Sequence, residues 1–507
     1  MLQLASIFQT GMVLQRDKTV FVWGIAEQEM KVTVSIQNQR VETWSDADGR
    51  WMVRLNPLKA SESEQMQVVS NGEIISLSDI AVGEVWVAGG QSNMEFPMRY
   101  EKHLSEVKEN CRNGRVRFYD VPEVAFESQM DSFDYSQVGI WRKADPESIE
   151  YFSAVGYYFE RELEKDLQVP VAIIGCNWGG SVSASWMNPE TVKRVGPEWI
   201  EEYETFASKI DWDDYWKRQR TGIQNDRGDV FNPFSEFVMP RTPSREEVGA
   251  FFQSMAKENK LPDIREGELE AHLIPGAMYE HMVKKIAPYG IRGVLWYQGE
   301  SDDEKQRAHL YGGMLEGLIE DWRTLWDDDS LPFLIVQLPG FRSWLESENH
   351  NYDLIRKAQQ EVTDKKANTW LCCIGDVGEE FDIHPKNKLP VGERLALLAR
   401  GHVYGENILC DAPVVYETKQ EGRMIRIKFK NVAEKLLLEG DKVSALKVRG
   451  KDGFLDFKES VEGNTLVLQL REEVQPETVV EFATDDFYLV NLYNEAHIPA
   501  TPFSIKL

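Results

Sequence analysis

Glu84-Val85-Trp86-Val87-Ala88-Gly89-Gly90-Gln91-Ser92-Asn93-Met94 is the stretch on which the reading of this chain turns. Its first half is a continuous apolar run of strand length, the pattern of a strand buried on both faces in a parallel sheet. The run stops at two adjacent glycines and resumes with a helical pattern. That arrangement sets Ser92 at the carboxyl edge of a sheet, where open α/β sheets bind their ligands. Two roles fit a serine there. It can cap the helix with its hydroxyl, or it can act as a nucleophile beside backbone amides that stabilise an oxyanion. The motif is not the Gly-x-Ser-x-Gly elbow, because Met94 occupies the second glycine position.

Working outward, Val171-Ala172-Ile173-Ile174-Gly175, Gly293-Val294-Leu295-Trp296-Tyr297 and Phe333-Leu334-Ile335-Val336-Gln337 have the same buried-strand character. Amphipathic stretches lie between them, at 149–166, 276–286 and 304–326. Apolar strands alternating with helices imply a three-layer α/β domain, expected over residues 81–410. Within it, residues 190–275 lack a strand rhythm and are expected to form a mostly helical insertion. Residues 1–80 and 411–507 read instead as short β-branched or aromatic strands separated by turn signals such as Asp48-Gly49 and Asn71-Gly72. An all-β domain is therefore expected on each flank.

Three further loop ends carry reactive residue types. Asn177-Trp178-Gly179-Gly180-Ser181 follows a strand, and its glycines let a backbone amide approach a substrate. An ordinary strand-to-loop turn explains the same residues. Trp296-Tyr297-Gln298-Gly299-Glu300-Ser301 offers an amide donor at Gln298 and a carboxylate at Glu300. Asp382-Ile383-His384-Pro385 precedes a helical run and pairs a histidine with a carboxylate two residues earlier. A serine hydroxyl is a weak nucleophile until such a base removes its proton. A carboxylate neighbour would also hold the His384 pKa above its ordinary value of about 6.5. Together these place a nucleophile, two oxyanion donors and a base at four loop ends of one sheet.

The bulk numbers bound the partners. At 507 residues the chain is expected to form several domains. Its net charge of −27 argues against nucleic-acid binding and against an anionic membrane surface. No apolar run reaches the length of a membrane span. The first ten residues lack a basic n-region, so a cytoplasmic location is expected, or a secreted or periplasmic one if a leader precedes them. Five scattered cysteines suit reduced thiols, and no spacing suggests a metal site.

Taken together, Gly90-Gln91-Ser92-Asn93-Met94, Trp296-Tyr297-Gln298-Gly299-Glu300-Ser301 and Asp382-Ile383-His384-Pro385 with Val391-Gly392-Glu393-Arg394-Leu395-Ala396 resemble the SGNH hydrolases, in particular their sialate O-acetylesterase branch. Gly11-Met12-Val13-Leu14-Gln15-Arg16 and Pro499-Ala500-Thr501-Pro502-Phe503 extend the resemblance to both ends of the chain. It implies a flavodoxin-like α/β/α hydrolase domain with no metal and no organic cofactor. It implies Ser92 as nucleophile, His384 as base, and Gly180 and Gln298 as the oxyanion hole. The broad family places its Asp three residues before the His, where Phe381 stands here. Asp382 is the nearest substitute, with Asp376 or a backbone carbonyl as alternatives. The implied substrate is a small acetylated sugar, with no nucleic-acid or membrane partner. Acetylated xylan or another glycan is an alternative to sialic acid, and Arg99, Trp186 and Glu300 are the candidate substrate contacts. A glycan-binding protein with a degenerate hydrolase module is the reading from another class.

Overall fold

The computed structural model describes residues 1–132, 134–220, 231–258, 265, 268–304, 306–345, 347–348 and 351–507. It is a mixed α/β protein that divides into two compact units, Met1–Gln298 with Gly313–Phe333, and Gly299–Gly312 with Leu334–Leu507.

The first unit opens with eight strands: β1 (Gln3–Leu4), β2 (Val13–Gln15), β3 (Val20–Ile25), β4 (Lys31–Ile36), β5 (Gln39–Trp44), β6 (Arg50–Leu55), β7 (Ser61–Ser70) and β8 (Glu73–Gly90). β1, β3 and β6 form one antiparallel sheet, while β5, β4, β7 and β8 pair antiparallel in another. The β7–β8 hairpin turns through Asn71-Gly72, both at positive φ (45° and 80°), as a two-residue primed turn requires. β8 does not end with the hairpin. Its second half runs on between β11 (Val171–Asn177) and β12 (Gly293–Tyr297), parallel to both. β9 (Asn113–Asp120) adds parallel to β11, and β10 (Trp141–Ala144) closes this edge antiparallel. Every residue from Ile80 to Gly90 is buried, as is all of β11 and β12. The helix Ala154–Leu167 packs on this sheet through Phe159 against Trp86.

Where β8 changes partners, a charge is fully buried. Glu84 is held by Arg16 Nε at 2.6 Å, Arg292 Nε at 2.7 Å and Gln15 Nε2 at 3.0 Å. Burial alone raises its pKa, but Arg292, Gln15 and Arg16 outweigh it and hold the carboxyl below its ordinary value. Removing one partner of a buried ion pair strands the others. Glu84→Gln is therefore expected to cost about 3 kcal/mol in denaturant unfolding at neutral pH. Because the folded pKa is depressed, this stabilisation is present above the unfolded glutamate pKa of about 4.3 and lost as pH falls below it. The difference between wild type and variant should shrink in acid.

Between β11 and β12 lie the helices Pro189–Val195, Pro197–Ala207, Trp212–Gln219, Pro233–Val238 and Arg245–Lys257. Four begin with a side-chain cap, from Asn188, Asp211, Asn232 and Ser244. Residues 221–230, 259–264 and 266–267 of the anticipated insertion lie outside the described residues.

In the second unit, the helices Tyr352–Lys365 and Leu389–Leu398 accompany the strand Thr369–Cys372 and all but the first residue of the strand Phe333–Val336. From Val414 onward the described secondary structure is all strand, including a four-stranded antiparallel sheet of Val414–Glu421, Met424–Lys430, Thr465–Leu470 and Phe457–Glu462. Alternate residues Ile425, Ile427 and Phe429 point into a core with Leu466, Leu468, Val480 and Phe482.

Candidate active site

Register brings the loop ends of the first unit into line. Gly90 lies opposite Asn177 on one side and Tyr297 on the other, so all three strands release their chains at one level. Gly90 adopts φ 140°, and a Cβ there would strike the Tyr297 carbonyl, so glycine is required at the crossing. The Gln91 amide donates to Tyr297 O and the Trp178 amide to Gly90 O, both at 3.1 Å. Ser92 then starts a helix of one turn, Ser92–Glu95. So short a helix contributes little macrodipole, and individual amides matter more than the field expected of a long helix.

Gly179 lies against this serine, and Gly180 follows it. A Cβ on Gly179 would stand 3.3 Å from Ser92 Cβ, and Gly180 turns through φ 77°. Gln298 Nε2 donates to Ser181 O at 3.3 Å, which fixes the amide beside the same turn. Ser92 thus lies beside Gly179, and Gln298 is tied to the residue that follows Gly180. Two carboxylates lie close. Glu95 Oε2 is 3.1 Å from the Gly179 Cβ position, and burial together with Glu95 pushes the Asp120 carboxyl up to about 7.

The second unit holds the base candidate. His384 is 3% exposed, and its ring stands edge-on to Trp344 at 5.2 Å. Asp382 Oδ1 accepts the His384 backbone N–H at 2.9 Å, an Asx turn, and Oδ2 pairs with Lys386 Nζ at 2.9 Å. Asp382 therefore holds the loop that carries the histidine. Asp376, the alternative carboxylate, is bound bidentately by Arg394 with both contacts at 2.7 Å. Lys388 is buried, and burial followed by Lys386 lowers its pKa to about 7 against the opposing pull of Glu300, Asp382 and Glu379. Glu300 itself is buried.

Burial, then Lys386 and Lys388, lowers the His384 pKa well below 6.5. This reverses the upward shift anticipated from Asp382. Loss of water dominates, followed by the lysines two and four residues after the histidine. A second correction concerns Trp186. It has no exposed surface, stands edge-on to Trp296 and donates from Nε1 to Ser181 Oγ at 2.9 Å. With both ring faces in the core it offers none to a sugar. Its effect on the site is to fix the loop after Gly180. Arg99 is engaged by Glu236 at 3.1 Å and Glu150 at 3.8 Å, with its guanidinium over Phe231.

Sequence reasoning passes over His272. It stacks on Trp178 at 5.2 Å and 11°, with Nδ1 3.4 Å from Glu270 Oε2. The carboxylate two residues ahead, Glu270-Ala271-His272, repeats the spacing that singles out His384.

All five cysteines are free thiols. Among the described residues one group of metal-capable side chains occurs, His402, Cys410 and Asp411, in which His402 Nε2 and Asp411 Oδ1 pair with each other at 2.9 Å. Among the described residues, no helix is long and apolar enough to cross a membrane.

Residues 266–396 match the family model described as carbohydrate esterase, sialic acid-specific acetylesterase. The mouse sialate O-acetylesterase is 27% identical over 441 residues, covering 80% of this chain and 74% of the mouse protein. The human sialate O-acetylesterase is 25% identical over 448 residues, covering 81% and 73%. Among solved structures, a carbohydrate acetylesterase from Xanthomonas citri superposes with a TM-score of 0.75 at 25% identity and 99% coverage of both chains.

Proposed function

We infer, from a chain that belongs to the sialate O-acetylesterase family of SGNH hydrolases, a carbohydrate O-acetylesterase whose nucleophile is Ser92 and whose base is His384. The observation that carries the nucleophile is the placing of Ser92 at the carboxyl end of β8, in van der Waals reach of the Gly179–Gly180 turn. In this mechanism Ser92 Oγ attacks the acetyl carbonyl while His384 takes its proton. The Gly180 amide and the Gln298 side chain stabilise the oxyanion. Collapse expels the sugar hydroxyl, which recovers the proton from His384, and water then releases acetate by the same steps. Neutral imidazole is the form this needs, and burial beside two lysines favours it. Asp382 is a positioning residue that shapes the His384 loop. Asp382→Asn keeps an oxygen for the His384 amide, so kcat/KM is expected to fall less than about tenfold, not by the orders of magnitude of a full triad member.

The parallel strands and their helices fit the flavodoxin-like three-layer domain over about residues 81–410, between β regions at 1–80 and 411–507. The free thiols suit a reducing compartment such as the cytoplasm.

The substrate is an O-acetylated sugar, with sialic acid favoured by the relatives. A neutral acetylated glycan such as xylan is favoured by the engagement of Arg99, since a sialate carboxylate calls for a cation and this one is already paired. Turnover of 9-O-acetylated sialic acid, acetylated xylo-oligosaccharides and 4-nitrophenyl acetate tests the assignment. Acetate release from at least one sugar ester is expected, and none from any of the three would refute esterase function.

A further inference from the structure

His272 and Ser92 flank the same pair of glycines. His272 Nε2 lies 3.9 Å from the point where a Cβ on Gly180 would stand, while Ser92 Cβ lies 3.3 Å from the corresponding point on Gly179. His272 is 7% exposed, with two contacts on its ring and one on its backbone. Trp178, the residue before the glycines, stacks flat on it. Glu270 Oε2 stands 3.4 Å from Nδ1. The His272 carbonyl accepts from Ser185 Oγ at 2.7 Å, so the backbone is tied to the loop that follows Gly180.

A carboxylate beside Nδ1 favours the tautomer with the proton on that nitrogen, which makes Nε2 an acceptor. A glycine opposite Nε2 leaves space that any larger residue would fill. If packing were the whole role, an apolar ring would serve as well on the face of Trp178 and would need no carboxylate. Position 272 lies outside the four loop-end motifs on which the catalytic assignment rests, as expected of a residue that selects among substrates.

We propose that His272, oriented by Glu270 and Trp178, is a specificity-determining residue that accepts a hydrogen bond from a hydroxyl of the sugar whose acetyl group Ser92 attacks. The inference rests on the esterase reading above. It assigns the sugar-side contact to the first unit, on the side of the oxyanion turn where Gly180 has no side chain. An aryl acetate has no such hydroxyl and gains nothing from His272.

The test is His272→Phe, which keeps a ring on Trp178 and removes both nitrogens, with His272→Gln restoring an acceptor. Kinetics are read on the best acetylated sugar of the panel and on 4-nitrophenyl acetate, with thermal melting as the check on folding. For His272→Phe, kcat/KM on the sugar ester should fall about tenfold or more, chiefly through KM, while aryl acetate turnover stays within about threefold. His272→Gln should recover part of the loss. Equal collapse on both esters in a folded variant would make His272 part of the acyl-transfer machinery and overturn the proposal. Unchanged kinetics on both would reduce His272 to packing and overturn it as well. If wild type cleaves aryl acetate but no sugar ester, the proposal fails while esterase chemistry stands. If wild type cleaves neither, it is the esterase reading that fails.

Discussion

Ser92→Ala is expected to lower kcat by about three orders of magnitude or more while leaving the melting temperature nearly unchanged. The change removes a single small oxygen at the start of a one-turn helix, so little packing is lost. The strand that positions it is buried throughout its second half and is held by β11 and β12 on either side. A serine-directed organophosphorus reagent should label the wild-type chain at Ser92, as peptide mapping by mass spectrometry would establish. Label on a different serine, or an alanine variant of near-normal activity, would end the nucleophile assignment. Some turnover should survive in the variant, because the Gly180 and Gln298 donors remain to stabilise charge on the carbonyl oxygen.

His384→Ala should be nearly as damaging, since nucleophile and base act as one unit. The pH profile gives the sharper measurement. A base must be neutral, so kcat/KM rises with pH through the pKa of the free enzyme's histidine. Burial and the two lysines place that pKa well below 6.5. The acid limb is therefore expected well below pH 6.5, with kcat/KM already level at neutrality. Lys388→Met removes one cation while leaving the Asp382–Lys386 pair intact, and should move the limb upward. A limb at or above 6.5 in the wild-type enzyme would mean that a carboxylate governs His384 after all.

How much of this was legible in the sequence follows the range of the interactions. Buried parallel strands announce themselves as apolar runs, and the stretches at 84–89, 171–175 and 293–297 fall inside β8, β11 and β12. Parallel register then puts their loops side by side, which is why Gly90, Asn177 and Tyr297 come out level. The Asx turn at Asp382 was legible as a carboxylate near a histidine, but not as a carboxylate bound to the histidine's backbone. Trp186 illustrates a different failure. A tryptophan in a loop after a strand fits a sugar platform or a core anchor equally well in one dimension, and burial against Trp296 decides it. His272 was missed because its significance lies in Trp178, ninety-four residues earlier, brought to it only by the fold.

The continuity of β8 also bears on how the chain matures. During synthesis β7 and β8 emerge together, and their two-residue turn lets them pair at once, a contact of short sequence separation. The parallel partners of the second half arrive much later, β11 from residue 171 and β12 from residue 293. A parallel strand waiting that long is exposed to slippage, and a slip of one residue would turn every side chain to the opposite face. The hairpin supplies an early clamp. By pinning the amino-terminal half of β8 it fixes the phase of the other half, so the place where the strand ends and Ser92 begins is set before the sheet that surrounds it exists.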